Sequence, residues 1–347
     1  LSPTAIIDVS KTGHPISPYI YGQFIEHLGR CIYGGIWAEM LEDRKFFHAV
    51  GATDSPWKAD GAIEMSKDEP YVGGHTPVLS PSARLYQDGL GVRSGKTYAG
   101  RVVVAGSGRV TVSLVWGDGA HQRDTVTVRK VTPEFAKHTL RFRAGTFTDN
   151  ARLEISATGE VRIGAVSLMP ADNVHGMRKD TLTLLKELNA PVYRWPGGNF
   201  VSGYDWRDGI GDPDKRPPRK NPAWLGVEHN DFGIHEFMRF CELLDTEPYI
   251  AVNSGLGDVR LARDEVEYVN GAATTEMGRL RANHGRRDPW HCTFWGIGNE
   301  MYGNWQLGHM PLDQYVVKHN EFADAMRAVD PSIRLIGVGD SGSRWSE

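Results

Sequence analysis

Three short segments carry side chains able to do chemistry. Phe294-Trp295-Gly296-Ile297-Gly298-Asn299-Glu300-Met301 is an apolar run that ends in two glycines, an amide and a carboxylic acid. Arg194-Trp195-Pro196-Gly197-Gly198-Asn199-Phe200 sets a cation, an aromatic ring and an amide around a turn, and the loop after it contains Trp206, Asp208 and Trp224. Gly22-Gln23-Phe24-Ile25-Glu26-His27 adds a second carboxylate and a histidine. Carboxylates and amides give hydroxyl groups directional partners, and an indole face gives a sugar ring an apolar platform. Taken singly, each segment has a structural explanation: Glu300 can cap a helix or pair with an arginine, and Pro-Gly-Gly is a turn. Position joins them, because each falls where a strand is predicted to end, the edge at which parallel α/β sheets and barrels place their sites.

The positioning elements follow from periodicity. Leu182, Leu185 and Leu188 mark a helix before the strand Pro191–Trp195. Ile234, Phe237, Met238, Cys241 and Leu244 form a second helical stripe, capped by Asn230 or Asp231, before Tyr249–Val252. A third stripe, Val259 to Val269, precedes Thr293–Ile297, and a fourth, Tyr315 to Val329, precedes Ile333–Val338. With Tyr19–Ile25 as the first strand, five parallel strands are predicted. A (β/α)₈ barrel needs eight, so this pattern reads either as an open five-stranded sheet or as part of a barrel. Between the first and second strands the period falls to two. Val110, Val112 and Leu114 alternate with Thr111 and Ser113, and Ala151, Leu153 and Ile155 with Arg152 and Glu154. Such strands read as an inserted antiparallel β-sandwich over about residues 52 to 170.

Length and charge remove several function classes. The 347 residues suggest about two domains. Thirty-nine Lys and Arg against 43 Asp and Glu leave a net charge of −4, no footprint for a nucleic acid. No apolar run is long enough for a spanning helix. Cys31, Cys241 and Cys292 are too scattered for a disulfide framework and are expected to pack. No metal and no cofactor is predicted. The phosphate-loop-like Gly91, Gly95, Lys96 and Thr97 lack the required glycine, and Gly339–Ser343 is not a nucleophile elbow. The basic run from Lys215 to Lys220 reads as a solvated loop over the cleft.

The segments Ile20–His27, Trp195–Trp206 and Trp295–Met301 resemble, in order and in sequence, the α-L-arabinofuranosidases of glycoside hydrolase family 51, over about residues 15 to 50 and 175 to 345. That resemblance implies an α/β fold, here a partial (β/α)₈ TIM barrel with about five of eight strands; the inserted all-β jelly-roll sandwich departs from it, since simpler family members have a short connection there, and reads either as similar to a carbohydrate-binding module or as a structural insert flanking the cleft. The resemblance implies that residues 1–12 hold a strand (Ala5 to Ser10) of a C-terminal-type β-sandwich. It implies a retaining hydrolase releasing terminal arabinofuranosyl residues from arabinoxylan or arabinan. Carried over by position, Glu300 matches the general acid/base, and Asn299 the residue that holds the sugar 2-hydroxyl. Glu26 and Asn199 match polar contacts to the sugar, Arg194 supports them, and Trp224 matches the aromatic wall.

The family's nucleophile ends the seventh strand, and no residue here matches it: Glu347 follows the fifth strand and Glu26 sits at the first. Residues 1–347 alone are therefore expected to be inactive, a second polypeptide or a C-terminal segment completing the barrel. Retention requires two carboxyl groups about 5 to 5.5 Å apart. An endo-β-1,4-glucanase or xylanase of the same family is the alternative activity, and a non-catalytic carbohydrate-binding protein the alternative class. The expected partner is an arabinofuranosyl-containing saccharide, with no nucleic acid and no membrane. The resemblance also allows a homo-oligomer, and the insert favours a secreted or periplasmic setting over a cytoplasmic one.

Overall fold

Five parallel strands, Gln23–Phe24, Val192–Trp195, Glu247–Val252, Phe294–Ile297 and Arg334–Ile336, pair side by side in that order in the computed structural model, which describes residues 3–342 and 344–346. Expectations that touch Leu1, Ser2, Ser343 or Glu347 lie outside the described residues. Phe24 stands opposite Arg194, Arg194 opposite Tyr249 and Tyr249 opposite Phe294. This register sends Glu26, Asn199, Asn253 and Asn299 out along one edge of the sheet.

Helices α1 (Lys179–Leu188), α2 (Ile234–Leu244), α3 (Val259–Asn270), α4 (Glu276–Asn283) and α5 (Leu312–Val329) cover the connections. The three-and-four spacing of α2 buries Ile234, Phe237, Met238, Cys241 and Leu244 in one core with Trp195 and Trp295. The Asp258 carboxylate caps α3 by accepting from the Leu261 N–H at 2.8 Å. Left-handed residues Asn189 and Asp245 close α1 and α2.

Several expectations fail for identifiable reasons. Ala5–Val9 forms no strand and is exposed, because no described strand pairs with it. The expected strand Tyr19–Ile25 shortens to Gln23–Phe24, since Pro18–Tyr21 winds into a 3₁₀ turn started by Ser17. Neither Asn230 nor Asp231 caps α2: the Asn230 amide donates to Pro217 O, and the Asp231 carboxylate is taken by Arg44 and Lys45. Instead, the Gly233 N–H donates to the Glu236 carboxylate at 2.9 Å. Helix α4 was not legible from its sparse apolar spacing. Cys31 is exposed, unlike Cys241 and Cys292.

The insert is a sandwich of two five-stranded antiparallel sheets. One runs Lys58–Asp60, Arg84–Val92, Thr148–Ala157, Val110–Val115, Arg123–Val128; the other runs Ile63–Ser66, Thr76–Leu79, Val161–Pro170, Thr97–Gly106, Ala136–Arg143. Their inward residues, Val112, Leu114, Leu153, Ile155, Val104 and Ile163 among them, are all fully buried and form a separate core.

A buried ion network ties the two units. Arg44, just before the sandwich, donates to Asp231 at 2.5 and 2.6 Å and to Asp214 at 2.7 Å, and Arg101 of the sandwich also donates to Asp214 at 2.7 Å. Burial raises the Asp231 carboxyl, but Arg44 and Lys45 outweigh it and hold the group well below the usual range. The basic run is therefore not simply a solvated loop. Arg216 is 3% exposed and forks onto Glu236 at 2.9 and 3.0 Å, because its guanidinium also satisfies the carbonyls of Gly211, Asn230 and Asp231. Lys215 is exposed, as are Arg219 and Lys220 on their own short strand.

Candidate active site

Glu26 leaves the end of the first parallel strand and is 6% exposed. Its Oε1 accepts the Phe200 N–H at 3.1 Å and the Trp224 indole N–H at 2.8 Å. The glycines of Pro196-Gly197-Gly198 make room for it: a Cβ on Gly197 would meet Glu26 Cγ at 2.5 Å, and one on Gly198 would meet Oε2 at 2.8 Å. Two residues distant in sequence are thus held by a turn that only glycine permits. Trp224 is positioned in turn by Asn221, whose Oδ1 accepts the Ala223 and Trp224 N–H groups and whose amide donates to His27 O.

Asn299, at the end of the fourth parallel strand, is the hub. Its Oδ1 accepts from Arg194 Nη2 at 2.8 Å, and its Nδ2 donates to Asn199 Oδ1 at 3.2 Å and to Gln306 Oε1 at 3.1 Å. The Arg194 guanidinium lies over the Phe24 and Tyr249 rings, at 5.0 and 5.8 Å from their centroids. Gln306 donates onward to Ser202 Oγ. Arg194, Asn199 and Asn299 are therefore brought together, and Glu26 joins them through the Gly198-Asn199 segment that packs on its carboxylate.

Glu300 is half-buried, with φ +41°, a left-handed conformation that residues other than glycine rarely take. Its Oε2 accepts the Trp305 indole N–H at 2.9 Å and its Oε1 the Tyr302 hydroxyl at 3.4 Å. Gly298, at φ +86°, lets the strand turn sharply here, and a Cβ there would meet Ser254 Oγ at 2.2 Å. The glycines of this strand are thus spaced for Ser254 and for the Tyr249 hydroxyl, protein groups rather than a ligand.

Below this edge lies a buried support. His27 accepts the Trp195 indole N–H on Nε2 at 3.1 Å, which leaves Nδ1 to donate to Glu228 at 2.7 Å. Tyr33 also donates to Glu228. Burial raises the Glu228 carboxyl, yet the His27 ring and these hydrogen bonds outweigh it and lower it. Trp206, expected at the cleft, is 2% exposed and packs in the core with its indole N–H donating to Leu261 O. Asp208 is spent on Arg219 at 2.9 Å. Gln306, Trp305 and Tyr302 were not anticipated. Only the aromatic density of Tyr302-Gly303-Asn304-Trp305 hinted at the latter two, and nothing local marks Gln306. Among the described residues no group of three His, Cys, Asp or Glu side chains is placed to hold a metal, and no helix is long and apolar enough to cross a membrane.

A half-buried carboxyl that follows Asn299 in the chain and is held by an indole N–H and a phenol can transfer a proton to an oxygen held by the neighbouring amides. Comparison with known proteins fits that chemistry. A family model described as "Alpha-L-arabinofuranosidase 1 domain" matches residues 184–346. The chain is 47% identical over 174 residues, 50% of this chain and 34% of the other, to a probable α-L-arabinofuranosidase C of Aspergillus fumigatus. It is 43% identical over 166 residues, 48% of this chain and 33% of the other, to an intracellular exo-α-(1→5)-L-arabinofuranosidase of Acetivibrio thermocellus. The matched segment thus spans about a third of the length of these curated relatives. The solved structure of an arabinose-bound α-L-arabinofuranosidase, MgGH51, superposes with a TM-score of 0.80 on 94% of this chain and 60% of that one at 22% identity, which establishes a shared α/β-barrel and β-sandwich fold. Residues 184–346, the stretch that carries Arg194, Asn199, Trp224, Asn299 and Glu300, are thus similar to an α-L-arabinofuranosidase domain.

Proposed function

We propose that these residues form the sugar-binding half of a retaining glycoside hydrolase that removes terminal α-L-arabinofuranosyl residues from arabinoxylan- or arabinan-type polysaccharides. The observation that carries the reading is the juxtaposition of Glu300 with the Arg194–Asn299–Asn199 hydrogen-bond chain at one sheet edge. In this reading Glu300 protonates the leaving oxygen and later activates water. Asn299 and Asn199 hold the sugar hydroxyls, Glu26 a further one, Arg194 fixes the Asn299 amide, and Trp224 walls the ring. Trp305 and Tyr302 fix the Glu300 carboxyl by donating to it.

Retention requires a nucleophilic carboxylate about 5 to 5.5 Å from the acid. The parallel sheet described here has five strands, and the family places that glutamate at the seventh. The reading therefore treats the sheet as part of a barrel and assigns the nucleophile to a second polypeptide or a further segment, with residues 1–347 inactive alone. The test is release of arabinose from aryl α-L-arabinofuranosides by the protein with its barrel completed. Glu300→Ala should lower turnover of poor leaving groups by roughly 10²- to 10⁴-fold and activated ones far less. Equal turnover of a poor leaving group by the variant sinks the assignment. Depolymerisation of long β-1,4-glucan or xylan without arabinose release would point to the endo-acting alternative.

A further inference from the structure

Between the sandwich and the α/β unit lies a cavity of about 1190 Å³. Neither Glu300 nor Asn299 lines it, but His27 and Asn221 do, the residues that flank Glu26 and position Trp224. The cavity therefore lies beside the catalytic edge and shares Asn221, the residue that positions Trp224, with it. Its volume exceeds the roughly 300 to 1,000 Å³ of an ordinary small-molecule pocket, too much room for one sugar ring.

The lining selects a ligand chemistry. Carboxylates outnumber cations along it, which disfavours a polyanion. Part of its charge is spent internally, Arg44 on Asp231 and Asp214, Arg178 on Asp180 and Lys96 on Asp172. Beside these ion pairs the lining offers uncharged hydrogen-bonding groups and apolar surface. Leu225 is 100% exposed on the α/β side, and Phe147 is 58% exposed on the sandwich side with the Arg93 guanidinium 5.5 Å from its ring centroid. Deeper in, Trp37 and His229 each hold a buried ring nitrogen without a protein partner. Burial lowers the His229 ring to about 4, so it stays neutral at physiological pH. Apolar side chains contributed by both units, together with neutral ring nitrogens, suit a chain with C–H faces and hydroxyl edges.

We propose that this cavity is a groove for the main chain of a neutral polysaccharide, with the sandwich supplying one wall through Phe147 and Arg93 and the α/β unit the other through Leu225. The proposal rests on the functional reading above in that the bound chain would present its side branch to the Glu26–Glu300 edge.

The experiment titrates the 347-residue protein with xylohexaose, arabinohexaose and polygalacturonate, followed by calorimetry. A neutral hexamer should bind. Phe147→Ala and Leu225→Ser, both exposed positions, should each weaken that binding by roughly tenfold as a platform is lost. Arg93→Ala, which removes no core contact, serves as a further check and should also weaken it. Unchanged affinity in the Phe147 and Leu225 variants overturns the proposal, as does the absence of binding by either neutral hexamer or tighter binding of polygalacturonate. The two readings fail separately. In the completed enzyme Phe147→Ala should leave hydrolysis of an aryl arabinofuranoside intact, whereas loss of the arabinofuranosidase reading would show as no such hydrolysis while Phe147-dependent hexamer binding persists.

Discussion

The sandwich and the parallel sheet use similar strands to opposite ends. In the sandwich, polar side chains on the outer face satisfy one another across neighbouring strands: Ser113 with Thr125 at 2.9 Å, Asp88 with Arg152 at 2.6 Å, Glu154 between Arg84 and Arg123. Antiparallel pairing spreads such groups evenly, so none accumulates. In the parallel sheet every strand ends on the same edge, and the loops there gather Glu26, Arg194, Asn199, Asn299 and Glu300 from three separate stretches of chain. One region closes its hydrogen bonds on itself; the other leaves a half-buried carboxyl at the same edge as the Arg194–Asn299–Asn199 chain. Parallel topology concentrates chemistry, and antiparallel topology distributes it.

The comparison can be broken most severely where the two regions join. Arg44→Met leaves Asp231 buried without its main partner, and Asp214 with one cation fewer, and should cost about 3 to 5 kcal/mol, read from urea unfolding. A loss under about 1 kcal/mol would mean the units do not depend on this network. Next in size, Asn299→Ala in the completed enzyme should lower kcat/KM by roughly 10²-fold, since it removes both the donor and the acceptor that order the edge. Its unfolding midpoint should move little, and a large stability loss with intact kinetics would make Asn299 structural only.

Acid sharpens the contrast through buried imidazoles in the α/β unit. Burial lowers the His229 ring to about 4 and the His235 ring to about 3, whereas both titrate near 6.5 when unfolded. Between about pH 6.5 and 4 the unfolded chain therefore takes up more protons, and these groups destabilise the fold as pH falls. Glu265, whose carboxyl burial pushes well above its usual value, acts in the opposite direction. The imidazole part is thus read as a difference: His235→Gln should gain stability relative to the unsubstituted protein as pH falls through that window. A pH-independent difference contradicts it. The smallest effect is expected at Lys137, 43% exposed, which reaches Asp214 at 2.8 Å from the sandwich. Because Arg44 and Arg101 still hold Asp214, Lys137→Ala should cost only about 0.2 to 1 kcal/mol, and that loss should shrink in salt.

Sequence by itself determined the alternation of elements and the residues that end the parallel strands. Period two and period 3.6 report which face is buried, and that information is local, so the stripes of α1, α2, α3 and α5 and the sandwich strands were legible. So was the placing of Glu26, Asn199 and Glu300 at strand ends, since a strand end is also a local event. Only tertiary structure decided that Arg216 is buried while Arg219 is not, that Trp206 belongs to the core, and that Gln306 orders Asn299 while Trp305 reaches back to Glu300. It also decided that Ala5–Val9, apolar enough for a strand, has none. Each of these depends on a partner supplied from elsewhere in the chain, as with Arg44 and Asp231, 187 residues apart. Periodicity records burial along one segment, but a hydrogen bond or ion pair is set by which segments the fold brings within about 3 Å of each other.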